Sequence, residues 1–264
     1  MNKADFNLIA KAILLYYEHR NSLFADHFIS DRLDRSPEII RSEIAEWSHT
    51  SPEELITYLE PEKIKRHIAK TAALIREKQT NSSNILMEAM TENEGEHLSI
   101  HYKLVDTPFG NALIASTSKG ICHLTFVDKE NKESIGQLKK KFPHAEYEEA
   151  GDDFQHDAIS LFDGKEDNLR PVHLHLKGSL FQISTWKKLI DIPFGGLMSY
   201  SALADDIKDS HALGAAVGSN PVAYIIPCHR TVRASGEFGD YHWGRARKAA
   251  LICIEAIQSK GKFL

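Results

Sequence analysis

Three prolines set the architecture of the first third of this chain. Pro37, Pro52 and Pro61 lack the amide that a helix interior needs, yet they suit a first helical turn, where that amide has no intrahelical partner anyway. Ser36 and Ser51 stand immediately before two of them, where a side-chain oxygen takes up orphan amides, and Glu54 follows Ser51 at capping-box spacing. Phe6, Ile9, Ile13, Tyr16 and Tyr17 fall near helical spacing, so residues 6–17 read as an amphipathic helix. Further helices start at Ser36 and Ser51, and Pro61 breaks the last stretch so that 62–78 forms its own helix, with Ile64, Ile68, Ala72 and Ile75 on one side.

The pattern then changes. Residues 79–96 are polar and acidic around a short "ILMEAM" and read as a linker. "LSIHYKLVDT", "NALIASTS" and "GICHLTFVD", separated by turns at Pro108–Gly110 and Lys119-Gly120, read as an antiparallel meander. Helical patterns over 132–142 and 154–163, a strand in "VHLHLKG" and a resumed helical period in "SLFQISTWKKLIDI" follow. The expectation is an α+β multidomain chain: all-helical 1–78, linker 79–96, sheet subdomain 97–178, and a mainly helical 179–264.

Composition narrows the classes of function. Apolar residues at 42% and charged residues at 26% fit a soluble protein, and no apolar run nears the length of about 18 residues that a membrane helix requires. The first twenty residues carry mixed charge without a small-residue cleavage site, which predicts a cytoplasmic protein. A net charge of −5 speaks against a non-specific polyanion binder, so any nucleic-acid contact is expected to be local. The three cysteines, Cys122, Cys228 and Cys253, are odd in number and scattered, as suits a reducing compartment. Cys122 and Cys253 lie in apolar patterns and read as small core residues. His173 and His175 share a strand face, but no nearby Cys or Asp completes a ligand set; neither metal nor cofactor is expected.

Cys228 has a different setting, in "GSNPVAYIIPCHRTV". A thiol reacts as its thiolate and needs a base or positive field, for which His229 is the obvious candidate. Adjacent side chains diverge in regular structure, however, so a Cys-His pair alone is poor evidence of a direct dyad. Upstream, Gly214 and Gly218 bracket alanines in a short helix, although an interior glycine costs about 1 kcal/mol relative to alanine. Such a thin helix serves either tight internal packing or close approach to a nucleic-acid minor groove.

With "TPFG", "LIASTSKGICHLTF", "FQISTWKKLIDIPFG", "SYSALA", "VGSNP", "IPCHR", "GEFGDYHWG" and "RKAALICIEA" in order over residues 97–264, the chain resembles the O6-alkylguanine-DNA alkyltransferases, or methylated-DNA–protein-cysteine methyltransferases. The resemblance implies a ribonuclease-H-like antiparallel sheet subdomain followed by a helical, winged-helix-turn-helix-like alkyltransferase subdomain. It implies a monomer that flips O6-alkylguanine, or O4-alkylthymine, out of double-stranded DNA and moves the alkyl group irreversibly to Cys228. By the same resemblance His229 reaches the thiol through a water, Glu255 orients His229, and Asn220 braces the turn. Tyr200 meets the flipped nucleotide, and Val217, Val232, Tyr241 and His242 line its pocket. His211, Ala212, Gly214, Ala215 and Arg230 lie on the DNA. His211 stands where the family usually has an arginine that fills the vacated base stack. A shorter, mostly neutral side chain there implies weaker binding or slower flipping, with Lys208 as partial compensation. A damage sensor without transfer would lack the cysteine, and a cysteine hydrolase would need an oxyanion-hole motif.

"SDRLDRSPEIIRSEIAEWSHTSPEELITYLEPEKIKRHI" resembles the DNA-binding helices of AraC-type regulators, which some bacteria fuse to this alkyltransferase. Residues 1–90 hold 12 Lys and Arg against 14 Asp and Glu, short of the basic surplus of a strong DNA binder. A degenerate helix-turn-helix is therefore expected. The alternative is a regulator of the alkylation response that reads promoter DNA and takes methyl transfer as its signal. No counterpart of the regulators' zinc-binding phosphotriester-repair domain is expected in these 264 residues.

Overall fold

In a computed structural model of the chain, the residues described are 5–77, 84–91, 94, 97–127, 131–163, 170–204 and 210–259. Five helices come first: α1 (Phe6–Glu18), α2 (Ala25–Leu33), α3 (Pro37–Ser48), α4 (Pro52–Thr57) and α5 (Pro61–Arg76). Strands β1 (Ile85–Ala89), β2 (Ser99–Thr107), β3 (Gly110–Thr117) and β4 (Gly120–Phe126) follow, then α6 (Asn131–Lys141), β5 (Glu146–Glu149), α7 (Asp153–Ser160), β6 (Val172–Leu176) and α8 (Leu180–Ile190). The last part holds β7 (Met198–Ser199), α9 (Tyr200–Ala204), α10 (Ser210–Gly218), a 3-10 turn at Cys228–Arg230, β8 (Thr231–Val232) and α11 (Arg245–Gln258). The three prolines act as expected, each at a first helical turn. Ser36 accepts from the Ile39 amide and Ser51 from the Glu54 amide at 3.2 Å. The Ser51 box is only half made, because the Glu54 carboxylate accepts from the Thr50 hydroxyl instead. A full box forms at Ser179 and Gln182, at the start of α8.

The chain divides into two compact units, and neither matches the expected boundaries. One comprises Met1–Asn81, Ile192–Lys208 and His229–Leu264; the other comprises Ser82–Asp191 and Asp209–Cys228.

In the second unit the sheet has six strands in the order β1-β6-β4-β3-β2-β5. It is mixed rather than antiparallel. The β2-β3-β4 meander is antiparallel, as its short turns require, while β5 runs parallel to β2 and β6 parallel to both β4 and β1. β1 corrects the linker expectation at residues 85–89. Ile85 and Met87 are half-buried, whereas Leu86 and Glu88 are exposed, a two-residue alternation too short to register beside its polar flanks. Ile100, Leu113, Cys122, Leu138 and Phe142 form a buried cluster on one side of this sheet.

In the first unit the helices before residue 78 do not stand as a separate domain. α11 is buried on every side from Arg247 to Ala256, its charged Arg247, Lys248 and Glu255 included, and a helix buried all round has to be covered. α1, which buries Phe6, Ile9, Ala10, Ile13 and Tyr17 among others, packs against α11 and supplies cover. Arg245 pairs with Glu18, and the Arg247 guanidinium donates to Asn7 Oδ1 at 3.0 Å. Among the described residues no helix is long and apolar enough to cross a membrane.

Candidate active site

Cys228 and His229 are neighbours in the chain but fall in different units, the division lying at their peptide bond. In the sheet unit, Cys228 ends a loop tied to the sheet: the Leu124 amide donates to the Pro221 carbonyl at 3.0 Å, and the Ala223 amide to the Leu124 carbonyl at 2.9 Å. Tyr224 takes a left-handed φ of +67°, disfavoured for a side chain of this size. Its ring stacks on Phe162 at 4.5 Å and meets Phe109 at 4.9 Å. The aromatic packing holds the backbone in that conformation, a role sequence reading did not assign to this tyrosine.

Asn220 closes the loop. Its Oδ1 accepts from the Val222 amide at 2.9 Å, while Nδ2 donates to the Ile226 carbonyl at 2.7 Å and to Cys228 Sγ at 3.1 Å. A donor aimed at sulfur favours the thiolate over the thiol. Both residues are 5% exposed, so the interaction is little screened by solvent.

α10 is held to α8 by Trp186 Nε1 donating to the Ala216 carbonyl at 2.9 Å. Leu213, Ala216 and Val217 are buried, leaving His211, Gly214, Ala215 and Gly218 on the other side, with Ala212 half-buried between. A Cβ added at Gly214 or Gly218 would meet nothing within 4 Å among the described residues. Packing among the described residues therefore does not account for these glycines. Lys208 lies outside the described residues.

In the helical unit, His229 is fully buried and Glu255 is 2% exposed. His229 Nε2 lies 2.8 Å from Glu255 Oε1. An ionised carboxylate only accepts, so Nε2 carries the proton and Nδ1 is the basic nitrogen. Burial would raise the Glu255 carboxyl, but Arg230 and His229 outweigh it and bring it down to about 2. Burial pushes the His229 imidazole down against the pull of Glu255, keeping it neutral near pH 7.

Arg230 corrects an expectation. Instead of facing DNA, its Nε donates to Glu255 Oε2 at 2.8 Å, a terminal nitrogen donates to Oε1 at 3.0 Å, and the other donates to the Ile192 carbonyl at 2.7 Å. A buried carboxylate needs such a partner, and the fork of the arginine next to His229 in the chain supplies it. The burial of Glu255 was the missing signal, because nothing local in the sequence marks that helix position as interior.

Tyr241 sets its ring edge-on to His229, with centroids 6.4 Å apart, and packs on Trp243. Val232 is buried in β8, paired with Ser199 of β7, and Tyr200 follows directly at the start of α9. His242 is exposed beside Trp243.

The other thiols are remote from such chemistry. Cys122 is fully buried and pushed up to about 12, and Cys253 is raised further by burial while its thiol donates to the Leu55 carbonyl. Glu88, Glu94 and His175 bring ligand atoms within 4.8 Å of one another, but the Lys119 ammonium already bridges both carboxylates. His175 Nδ1 pairs with the Thr117 hydroxyl, and His173 packs against Phe154.

The 6-O-methylguanine DNA methyltransferase DNA binding domain matches residues 180–257, and the ribonuclease-like domain of the same family matches 100–156. The chain is 36% identical to the bifunctional transcriptional activator/DNA repair enzyme Ada of Escherichia coli over 61% of its own length and 47% of that protein's. It spans 56% of the regulatory protein ada of Salmonella typhimurium, so it covers about half the length of these relatives. The Mycobacterium tuberculosis OGT crystallised in complex with DNA is 30% identical, with a TM-score of 0.49 over 60% of this chain and 94% of that one. The inducible methylated-DNA–protein-cysteine methyltransferase of Bacillus subtilis is 34% identical over 60% of this chain and 90% of its own. With that relative matched over nine-tenths of its length and both family domains present in order, the chain belongs to the methylated-DNA–protein-cysteine methyltransferase family.

Proposed function

We propose that this chain repairs DNA by moving the alkyl group of O6-alkylguanine, and of O4-alkylthymine, irreversibly onto Cys228. The Asn220 donor on the Cys228 sulfur carries the reading, because it prepares a nucleophilic thiolate that a core cysteine does not need. The thiol proton passes through a water to Nδ1 of His229, whose positive charge Glu255 then balances. The sulfur attacks the alkyl carbon, forming the S–C bond as the C–O6 bond breaks. The electron pair goes to guanine, which takes a proton at N1 or O6 and leaves. The product is a thioether, so each molecule reacts once.

An O6 substituent is inaccessible inside the base stack, so the base is flipped out at a cost of a few kcal/mol. The face of α10 carrying His211, Ala212, Gly214 and Ala215 enters the minor groove, its small residues admitting the helix backbone close to the DNA. Tyr200, Val217, Val232, Tyr241 and His242 receive the flipped nucleotide. Incubation with duplex DNA containing O6-methylguanine, followed by intact-mass measurement, tests the reading. The unmodified chain gains one methylene and Cys228→Ala gains nothing; equal masses before and after for both would end it.

A second reading, a regulator that uses alkylation as its signal, draws on the two Ada relatives and on the Ser-Pro-capped helices α3 and α4. The acidic balance of residues 1–90 weighs against it.

A further inference from the structure

Helix α5 buries three residues, Ile64, His67 and Thr71, and two of them are polar. His67 and Thr71 lie one turn apart on one face, where a polar side chain is costly unless bonded. Both find partners in the same short loop. His67 Nε2 donates to the Gly195 carbonyl at 2.5 Å, and the Leu197 amide donates to Thr71 Oγ1 at 3.0 Å. The loop is pressed onto α11: Gly195 has φ +75°, and a Cβ there would stand 2.7 Å from the Ser259 Cβ and 3.0 Å from the Glu255 carbonyl oxygen. So placed, the Gly195 amide donates to Glu255 Oε2 at 3.2 Å, while Oε1 of the same carboxylate receives His229. One file of hydrogen bonds runs from α5 through the loop to the carboxylate and the imidazole.

We propose that His67 and Thr71 are positioning residues for alkyl transfer, holding the Gly195–Leu197 backbone so that Glu255 keeps its amide donor and His229 its orientation. The inference rests on the transfer reading above. Packing alone would be served by two apolar residues of the same shape; a donor and an acceptor matched to one loop fix direction as well. The acid-base consequence follows from charge. The groups facing His229 are Glu255 and Lys248 from α11, Arg230 from its own turn and the Tyr241 ring; Glu255 and Lys70 act on His67. When Glu255 loses the Gly195 amide, more of its negative charge falls on His229. The imidazolium is then favoured, and the neutral base is lost at a higher pH.

The test uses the full chain and free O6-benzylguanine, following Cys228 alkylation by intact mass across pH. His67→Phe keeps the bulk and removes the donor, and His67→Gln keeps a donor. His67→Phe is expected to slow alkylation about tenfold, the low end of what losing the outer partner of a metal-ligating histidine costs, and to move the acid limb of the rate profile to higher pH. His67→Gln restores most of both. Thr71→Val gives a smaller shift in the same direction, and Thr71→Ser restores it. A uniform slowing with an unmoved acid limb would reduce His67 to a packing residue and overturn the inference. If His67→Phe does not fold, the comparison of Thr71→Val with Thr71→Ser decides. Failure of the unmodified chain to be alkylated would end the transfer reading instead. In that event the nitrogen-15 titration of His229 in the same variants still judges the positioning, since an unmoved titration overturns it.

Discussion

Glu255 has three kinds of donor on one carboxylate: the Arg230 fork, the His229 imidazole and the Gly195 amide. Held at about 2 in the fold against an ordinary 4.5, it contributes stability above pH 4.5 that is lost as pH falls toward 2. His229, also depressed, acts in the same direction, beginning as pH drops below its ordinary 6.5. Arg230→Gln would leave the buried carboxylate without its cation, a loss of about 3 to 5 kcal/mol. Stepwise acidification followed by circular dichroism should show the variant unfolding at a higher pH than the parent. Unchanged acid stability together with weaker DNA binding would return Arg230 to the DNA face. Resemblance, rather than the bare Cys-His spacing, pointed to Cys228 and His229, but nothing pointed to the role of Arg230. Only a folded α11 reveals that the carboxylate is interior and in need of a cation.

α10 separates two demands at the level of the element. Its buried side follows helical spacing, with Leu213, Ala216 and Val217 inward. Gly214 weakens the helix, although no neighbour among the described residues requires a glycine there. Gly214→Ala is therefore expected to stabilise the chain by up to ~1 kcal/mol, read as a higher melting temperature, while lowering affinity for duplex DNA in a binding titration. A rise in both would mean that this face does not meet DNA. Sequence left internal packing and groove entry equally open for these glycines; among the described residues, nothing beside Gly214 calls for packing. The strands of the meander were legible because each is longer than six residues with marked turns. β1 was hidden because a five-residue edge strand with one half-buried side carries almost no periodic signal.

For the whole molecule, the chief departure from the sequence reading is where the helices before residue 78 belong. Proline and capping signals located α3, α4 and α5 well, because these are local rules. Partnership is not local, and α1 meets a helix more than two hundred residues away in the chain. A chain lacking residues 1–77 would leave α11 and the loops at Gly195 and Gly236 uncovered. Gly236 is packed so closely to Pro61 that a Cβ there would run into the Pro61 carbonyl oxygen. Such a truncation should lose its cooperative thermal transition by calorimetry; a sharp transition near that of the parent would make the first helices a detachable module.

The burial of Cys122 and Cys253 has a consequence for accounting rather than for folding. With one of these thiols pushed up to about 12 and the other higher still, neither competes with Cys228 for an electrophile in neutral solution. On the proposed transfer to Cys228 alone, the chain would be its own tally: the fraction of molecules carrying an alkyl group would equal the lesions removed per molecule, with no turnover number to correct for.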